Sequence, residues 1–185
     1  MLSDFRDVIY HCLKCGACRD AYEVYEPICP SGIRYGFDSY YAIGRISLAR
    51  AIVDGDLAIE SDLMRRIYSC TSCGACDEQC HDAVGVDPLR VIEALKQDAV
   101  DTGKIPTEVR RFLESMQKRG NPYHRPSHER TKWTDGLDVP HYNGHEYLLF
   151  VGCVGSYDER GHKISNSVVN LLKKLNVSFG ILGNE

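Results

Sequence analysis

The 185-residue sequence has no apolar run long enough to cross a bilayer. Its longest, YLLFVGCVG from Tyr147, falls well short of the roughly 20 residues a membrane-spanning helix needs. It has no basic tract either. With 22 Lys and Arg against 26 Asp and Glu, and a formal net charge of −4, little in it would release counterions from a phosphate backbone. Nucleic acid is therefore not an expected partner. The opening MLSDFRDVIY places acids where a signal peptide carries a basic and then an apolar segment. There is no P-loop, no GxGxxG and no nucleophile motif, and GCVGSYDERG from Gly152 reads as a glycine-rich loop that matches no phosphate-binding fingerprint. Nine cysteines are about 5% of the chain, fewer than a disulfide scaffold uses, and their number is odd. What these absences leave is a cytoplasmic protein with reduced thiols, touching a membrane only through a partner. The length allows one or two small domains with cores of their own.

What is present is a repeated phrase, CLKCGAC from Cys12 and CTSCGAC from Cys70. Three thiolates spaced in this way can wrap three corners of one [4Fe–4S] cube if the chain turns tightly, and Gly-Ala avoids side-chain clashes in the turn. The fourth iron needs a remote thiolate, for which Cys29 in CPSG and Cys80 in CDEQCH are the candidates. In two-cluster ferredoxins the fourth ligand comes from the opposite motif. That crossed rule gives Cys12, Cys15, Cys18 and Cys80 to one cluster and Cys70, Cys73, Cys76 and Cys29 to the other. Spacing alone also permits the local assignment. Zinc sites use two CxxC pairs, which a CxxCxxC triplet overshoots, and a disulfide between cysteines three apart is strained.

Each oxidised cube with four thiolates carries about two negative charges, which backbone amides and nearby cations must offset. Lys14, Arg19, Arg34 and Arg45 are candidates for this, although each taken singly reads as a solvated surface charge. His11 and His81 abut cysteines, but four thiols per cluster are already available. His124, His128, His141 and His145 read as loop residues.

The predicted fold is mainly α, with a βαβ unit at the end. Helices are expected from Asp4 to about Leu13, over YYAIGRISLARAIVDGD, over ESDLMRRIYSC with Ser61 or Asp62 as N-cap, and over VDPLRVIEALKQDAVDTG. In the last of these Asp87 caps, Pro88 takes the first helical position and Gly103 terminates. TEVRRFLESMQKRG is a further helix. Residues 1–120 then form one helical domain and 121–145 an extended linker. In 146–185, EYLLFVG and VSFGILG read as strands flanking the amphipathic helix KISNSVVNLLKKLN, which implies a parallel pair. Two strands do not make a stable sheet alone, so a completing partner or segment is expected.

Two ferredoxin-like motifs in a helical context, followed by LLFVGCVGSYDERG and LLKKLNVSFGILGNE, resemble the heterodisulfide reductase family of iron–sulfur oxidoreductases. Relatives in that family serve glycolate and lactate oxidation and electron-bifurcating complexes. The resemblance implies an α-helical ferredoxin domain with two [4Fe–4S] clusters, followed by the beginning of a cysteine-rich CCG domain. Cys153 matches the opening cysteine of that domain and ILGNE the approach to its CCG pair, so Cys153 is a candidate ligand of the CCG site. The function implied is electron transfer within an oxidoreductase complex, between a flavoprotein or iron–sulfur subunit and a CCG-type site completed by a missing half. No catalytic residue is assigned. The competing reading is a scaffold or assembly subunit with redox-silent clusters.

Overall fold

A computed structural model describes residues 1–21 and 23–183. The chain divides into two units, Met1–Pro106 and Thr107–Glu185.

Among its described residues the first unit has six α-helices: α1 (Arg6–His11), α2 (Pro30–Tyr35), α3 (Ala42–Val53), α4 (Met64–Tyr68), α5 (Ala75–Ala83) and α6 (Pro88–Asp101). α3 packs along α6, with α1 against α3 and both α4 and α5 against α6. The apolar period of α6 explains its burial: Val91, Ala94, Leu95 and Ala99 fall on one stripe and enter a core with Leu2, Ile9, Ile46, Ala49, Met64 and Ile67. Burying each of the larger side chains is worth about 1.5–3 kcal/mol. Two start signals read from the sequence work differently in the fold. Ser61 lies in a 3-10 turn that leads into α4, and no side chain caps that helix. Asp87 occupies the N-cap position of α6 but makes no capping bond. The cap comes from α5 instead: the Leu89 N–H donates to Asp77 Oδ1 at 2.7 Å.

The second unit contains α7 (Thr107–Arg119), β1 (Tyr147–Leu148), α8 (Gly152–Tyr157), α9 (Glu159–Lys174) and β2 (Phe179–Gly180). α7, grouped by sequence pattern with residues 1–120, falls in this unit. β1 and β2 pair in parallel, with Tyr147 opposite Phe179, as a strand–helix–strand unit requires. The segment read as a linker is folded onto this unit. Trp133 is buried with Val169, Phe179 and Ile181, and a parallel bridge joins His141 to Ile181 on the free side of β2. Buried Asn121 staples the start of the segment, donating to the carbonyls of Arg119 and Arg125 at 3.1 and 2.8 Å. GCVGSYDERG is not a loop. It forms α8 and the first turn of α9, where Asp158 caps by accepting from the Gly161 N–H at 2.9 Å. The last two residues of ILGNE lie outside the described residues. No helix among the described residues is long and apolar enough to cross a membrane.

Candidate functional site: two cysteine-lined cavities

The repeated phrase in the sequence is repeated in the backbone. Lys14 and Ser72, at the same place in the two copies, have φ of 55° and 54°; Gly16 and Gly74 have φ of 86° and 79°. A left-handed conformation costs a residue with a side chain about 1 kcal/mol or more, which glycine avoids. Strain of this kind, paid twice at matching positions, marks a shape kept for a site. Such turns also aim successive N–H groups at one point, which suits an anion. A clamp from α6 holds the second copy: Lys96 Nζ donates to the Cys70 carbonyl at 2.9 Å and to Ser72 Oγ at 2.8 Å.

The eight clustered cysteines line two separate cavities, four in each. The first is lined by Cys12, Cys15, Cys18 and Cys80, with Ile43 and Ile46 of α3 and Pro88 of α6 in its wall. The second is lined by Cys29, Cys70, Cys73 and Cys76, with Ala42 and Arg45 of α3 and Leu89 and Ile92 of α6. The spatial sets are thus the crossed sets. α5 makes the crossing feasible: Cys76 and Cys80 are one helical turn apart on it, and each lines a different cavity. The cavities adjoin, since Cys18 of the first shares an apolar cluster with Cys70 and Cys76 of the second.

Electrostatics set these thiols apart from surface ones. Burial pushes Cys18 up to about 12, and nearby Cys80 and Cys12 add to this while a backbone bond from Ile43 opposes it. Cys76 is raised by burial first, then by Asp77, Cys70, Cys18 and Cys29. Cys80 is raised by burial, with Cys12 and Cys15 contributing. Exposed Cys73 is lowered by its backbone bond to Ala75. Thiols held this far from ionisation by burial and by one another become thiolates when a metal takes the proton's place.

The donor set fits a cluster better than a single ion. Among the described residues no three His, Cys, Asp or Glu side chains converge closely enough to hold one metal, as zinc with sulfurs at about 2.3 Å would require. The thiols surround a space instead of meeting at a point, which is what four irons with one thiolate each need.

Residues 8–84 match the family described as the 4Fe-4S dicluster domain. The first unit carries a 4Fe-4S dicluster domain. That domain implies two [4Fe–4S] clusters, and the chain is of the iron–sulfur, electron-transfer type. A probable iron-sulfur-binding oxidoreductase, FadF, from Bacillus subtilis is 32% identical over 141 residues, covering 71% of this chain and 19% of that protein. The EtfAB:quinone oxidoreductase of Syntrophomonas wolfei is 32% identical over 127 residues, covering 64% and 18%. A probable membrane-anchored ferredoxin from Chromohalobacter salexigens is 24% identical over 204 residues, covering 94% and 29%. The chain thus spans under a third of the length of each.

Around the dicluster domain the four candidate cations separate. Lys14 and Arg34 are exposed. Arg19 pairs with Asp38 at 2.9 Å and lies over the Tyr41 ring. Arg45 is fully buried at 1% exposure, against its reading as a surface charge. A signal for this was present, because Arg45 falls on the buried stripe of α3 with Ala42, Ile46 and Ala49. His11 and His81 are exposed and line neither cavity. Sequence reasoning missed Ser31, Asp77 and Lys96, whose roles depend on partners far along the chain. In the second unit Cys153 lies on α8, where Arg130 Nη2 approaches its sulfur at 3.6 Å and the Gly120 carbonyl lies at 3.9 Å.

Proposed function

We propose that the chain is an electron-transfer subunit of a heterodisulfide reductase-like oxidoreductase complex. Cys12, Cys15, Cys18 and Cys80 hold one [4Fe–4S] cluster; Cys29, Cys70, Cys73 and Cys76 hold the other. The observation that carries the reading is the sorting of eight thiols into two adjoining cavities of four. When bound, the clusters supply one-electron storage and transfer. The chain's own residues do the rest. The two strained turns aim amides at the sites, α3 and the start of α6 form a common wall, and Ile43, Ile46, Leu89 and Ile92 exclude water from it. Cys15 also borders an open depression of about 600 Å³ walled in part by Asp20, Tyr25 and Asp82. We assign this depression to the approach of a flavoprotein or iron–sulfur donor.

The onward acceptor in this proposal is a CCG-type site to which Cys153 contributes, with Arg130 Nη2 held 3.6 Å from its sulfur and the remaining ligands supplied by another segment or chain. The name of the Syntrophomonas relative makes a quinone the first terminal acceptor class to assay. The proposed location is the cytoplasm, with membrane contact made through a partner.

Anaerobically purified chain should contain about eight iron and eight labile sulfide, with interacting signals on reduction by low-temperature EPR. Paired substitutions test the ligand sets. Cys15→Ser with Cys80→Ser removes two ligands from one cluster in the crossed arrangement, so about half of the iron stays. In a local arrangement the same pair damages both clusters and nearly all the iron is lost. Zinc without sulfide overturns the proposal outright, and full clusters that resist strong reductant favour the scaffold reading.

A further inference from the structure

Arg45 is the most deeply buried charge in the first unit, and its neighbours do not neutralise it. Its Nε donates to the Arg66 carbonyl at 2.7 Å and Nη1 to the Tyr40 carbonyl at 2.7 Å. Its Nη2 donates to Ser31 Oγ at 2.9 Å and to Ser69 Oγ at 2.8 Å. All four acceptors are uncharged. Among the described residues no Asp or Glu forms an ion pair with it. A guanidinium does not shed its proton to escape burial. Hydrogen bonds to neutral oxygens return only part of the hydration it has lost, and a buried charge without a counter-charge is expensive. A fold that keeps such a group has an anion for it.

The second cavity supplies that anion, since Arg45 lines it together with Cys29, Cys70, Cys73 and Cys76. The first cavity has no equivalent. Its wall from α3 is Ile43 and Ile46, and among the described residues the one cation that lines it, Lys14, is exposed. A single turn of α3 therefore turns an apolar face to one site and a buried cation to the other.

A hydrogen-bond relay extends the asymmetry. Ser31 Oγ accepts from Arg45 and lies 3.3 Å from Cys29 Sγ and 2.7 Å from the Tyr40 carbonyl. Its own hydrogen therefore has two destinations. In this structure the hydroxyl donates to the Tyr40 carbonyl, which Arg45 Nη1 also serves, so turning it to the sulfur of a Cys29 thiolate leaves that carbonyl paired. A donor to sulfur and a nearby cation both favour the reduced, more negative state of a cluster.

We propose that Arg45 is the resident counter-cation of the second [4Fe–4S] site and, through Ser31, raises its reduction potential above that of the first. This rests on the ligand sets proposed above. An electron entering the pair then settles on the second cluster. Arg45 is a positioning and tuning residue; it takes no part in bond making.

The test is a potentiometric EPR titration of the loaded full chain, with iron counted in each sample. The step that a Cys73→Ser substitution perturbs is assigned to the second cluster. Arg45→Gln should lower the ratio of reduced to oxidised second cluster at fixed potential about tenfold, which is 59 mV for a one-electron couple, and leave the first unmoved. Arg45→Lys should restore most of the shift by keeping the charge. Ser31→Ala, which alters no charge, should shift the same cluster in the same direction by less. Full iron with no shift in Arg45→Gln overturns the proposal, as does an equal shift at both clusters. If Arg45→Gln fails to load, Ser31→Ala decides, and an unmoved second cluster there overturns it. Wild-type chain that holds no [4Fe–4S] cluster overturns the ligand reading itself.

Discussion

At the residue scale, Asp77 joins the thiol sites to the helix that supports them. Its carboxylate accepts the Leu89 N–H at the start of α6, and it follows directly on Cys76. Burial holds the carboxyl above its ordinary range even though the bond from Leu89 pulls the other way. Asp77→Ala should cost about 1 kcal/mol, the usual worth of a helix cap, and Asp77→Asn much less because an acceptor oxygen remains. A shift in the urea midpoint at constant slope would register this. The proximity of the thiols was legible in the repeated CxxCxxC spacing, and the two cavities divide them four and four. Asp77 and Arg45 were not, because neither spacing nor residue type tells that a carboxylate caps a distant helix or that a guanidinium is buried. Asp77 caps a helix twelve positions on, and the bonds of Arg45 reach from Ser31 to Ser69. Only the position of Arg45 on an apolar stripe hinted at burial.

At the element scale, α6 follows its apolar period closely, whereas the second unit departs from its pattern at its glycines. The run from Tyr147 to Val151 pairs as a strand over only two residues, and the chain then turns at Gly152, with φ of 63°, into α8. Glycine density in GCVGSYDERG suggested a loop, but these glycines serve packing. A Cβ at Gly161 would lie 2.0 Å from the Val154 carbonyl oxygen, a backbone atom that cannot yield without moving α8. Gly161→Ala should therefore destabilise the second unit by about 3 kcal/mol, the upper end of overpacking costs, despite alanine's better helix propensity. Thermal unfolding followed through the single tryptophan, Trp133 in that unit's core, would measure it; an unchanged midpoint would mean that the helices separate freely. The Asp158 cap was the readable signal that a helix starts there.

At the scale of the molecule, the division after Pro106 makes a direct prediction. All eight clustered cysteines, Arg45 and the common walls of α3 and α6 lie within residues 1–106. Expressed alone, this segment should bind the same iron and sulfide as the full chain and give the same reduced spectrum. Loss of one cluster on truncation would show that residues beyond Pro106 complete a site. The two-unit organisation was partly legible, since the change from helical to strand-like sequence marks the second unit. The attachment of α7 and of residues 121–145 to it was not, because Trp133 and Asn121 act through contacts that leave no local period. Under the ligand sets proposed above, the crossing of the cysteines also bears on how the protein is made. In chain order the set of the first cavity encloses that of the second, opening at Cys12 and closing at Cys80, whereas the inner set closes at Cys76. As the polypeptide leaves the ribosome, the site begun first is therefore finished last. Its leading trio stays open until most of the helical unit has emerged, and neither site can be filled on a nascent chain shorter than Cys76.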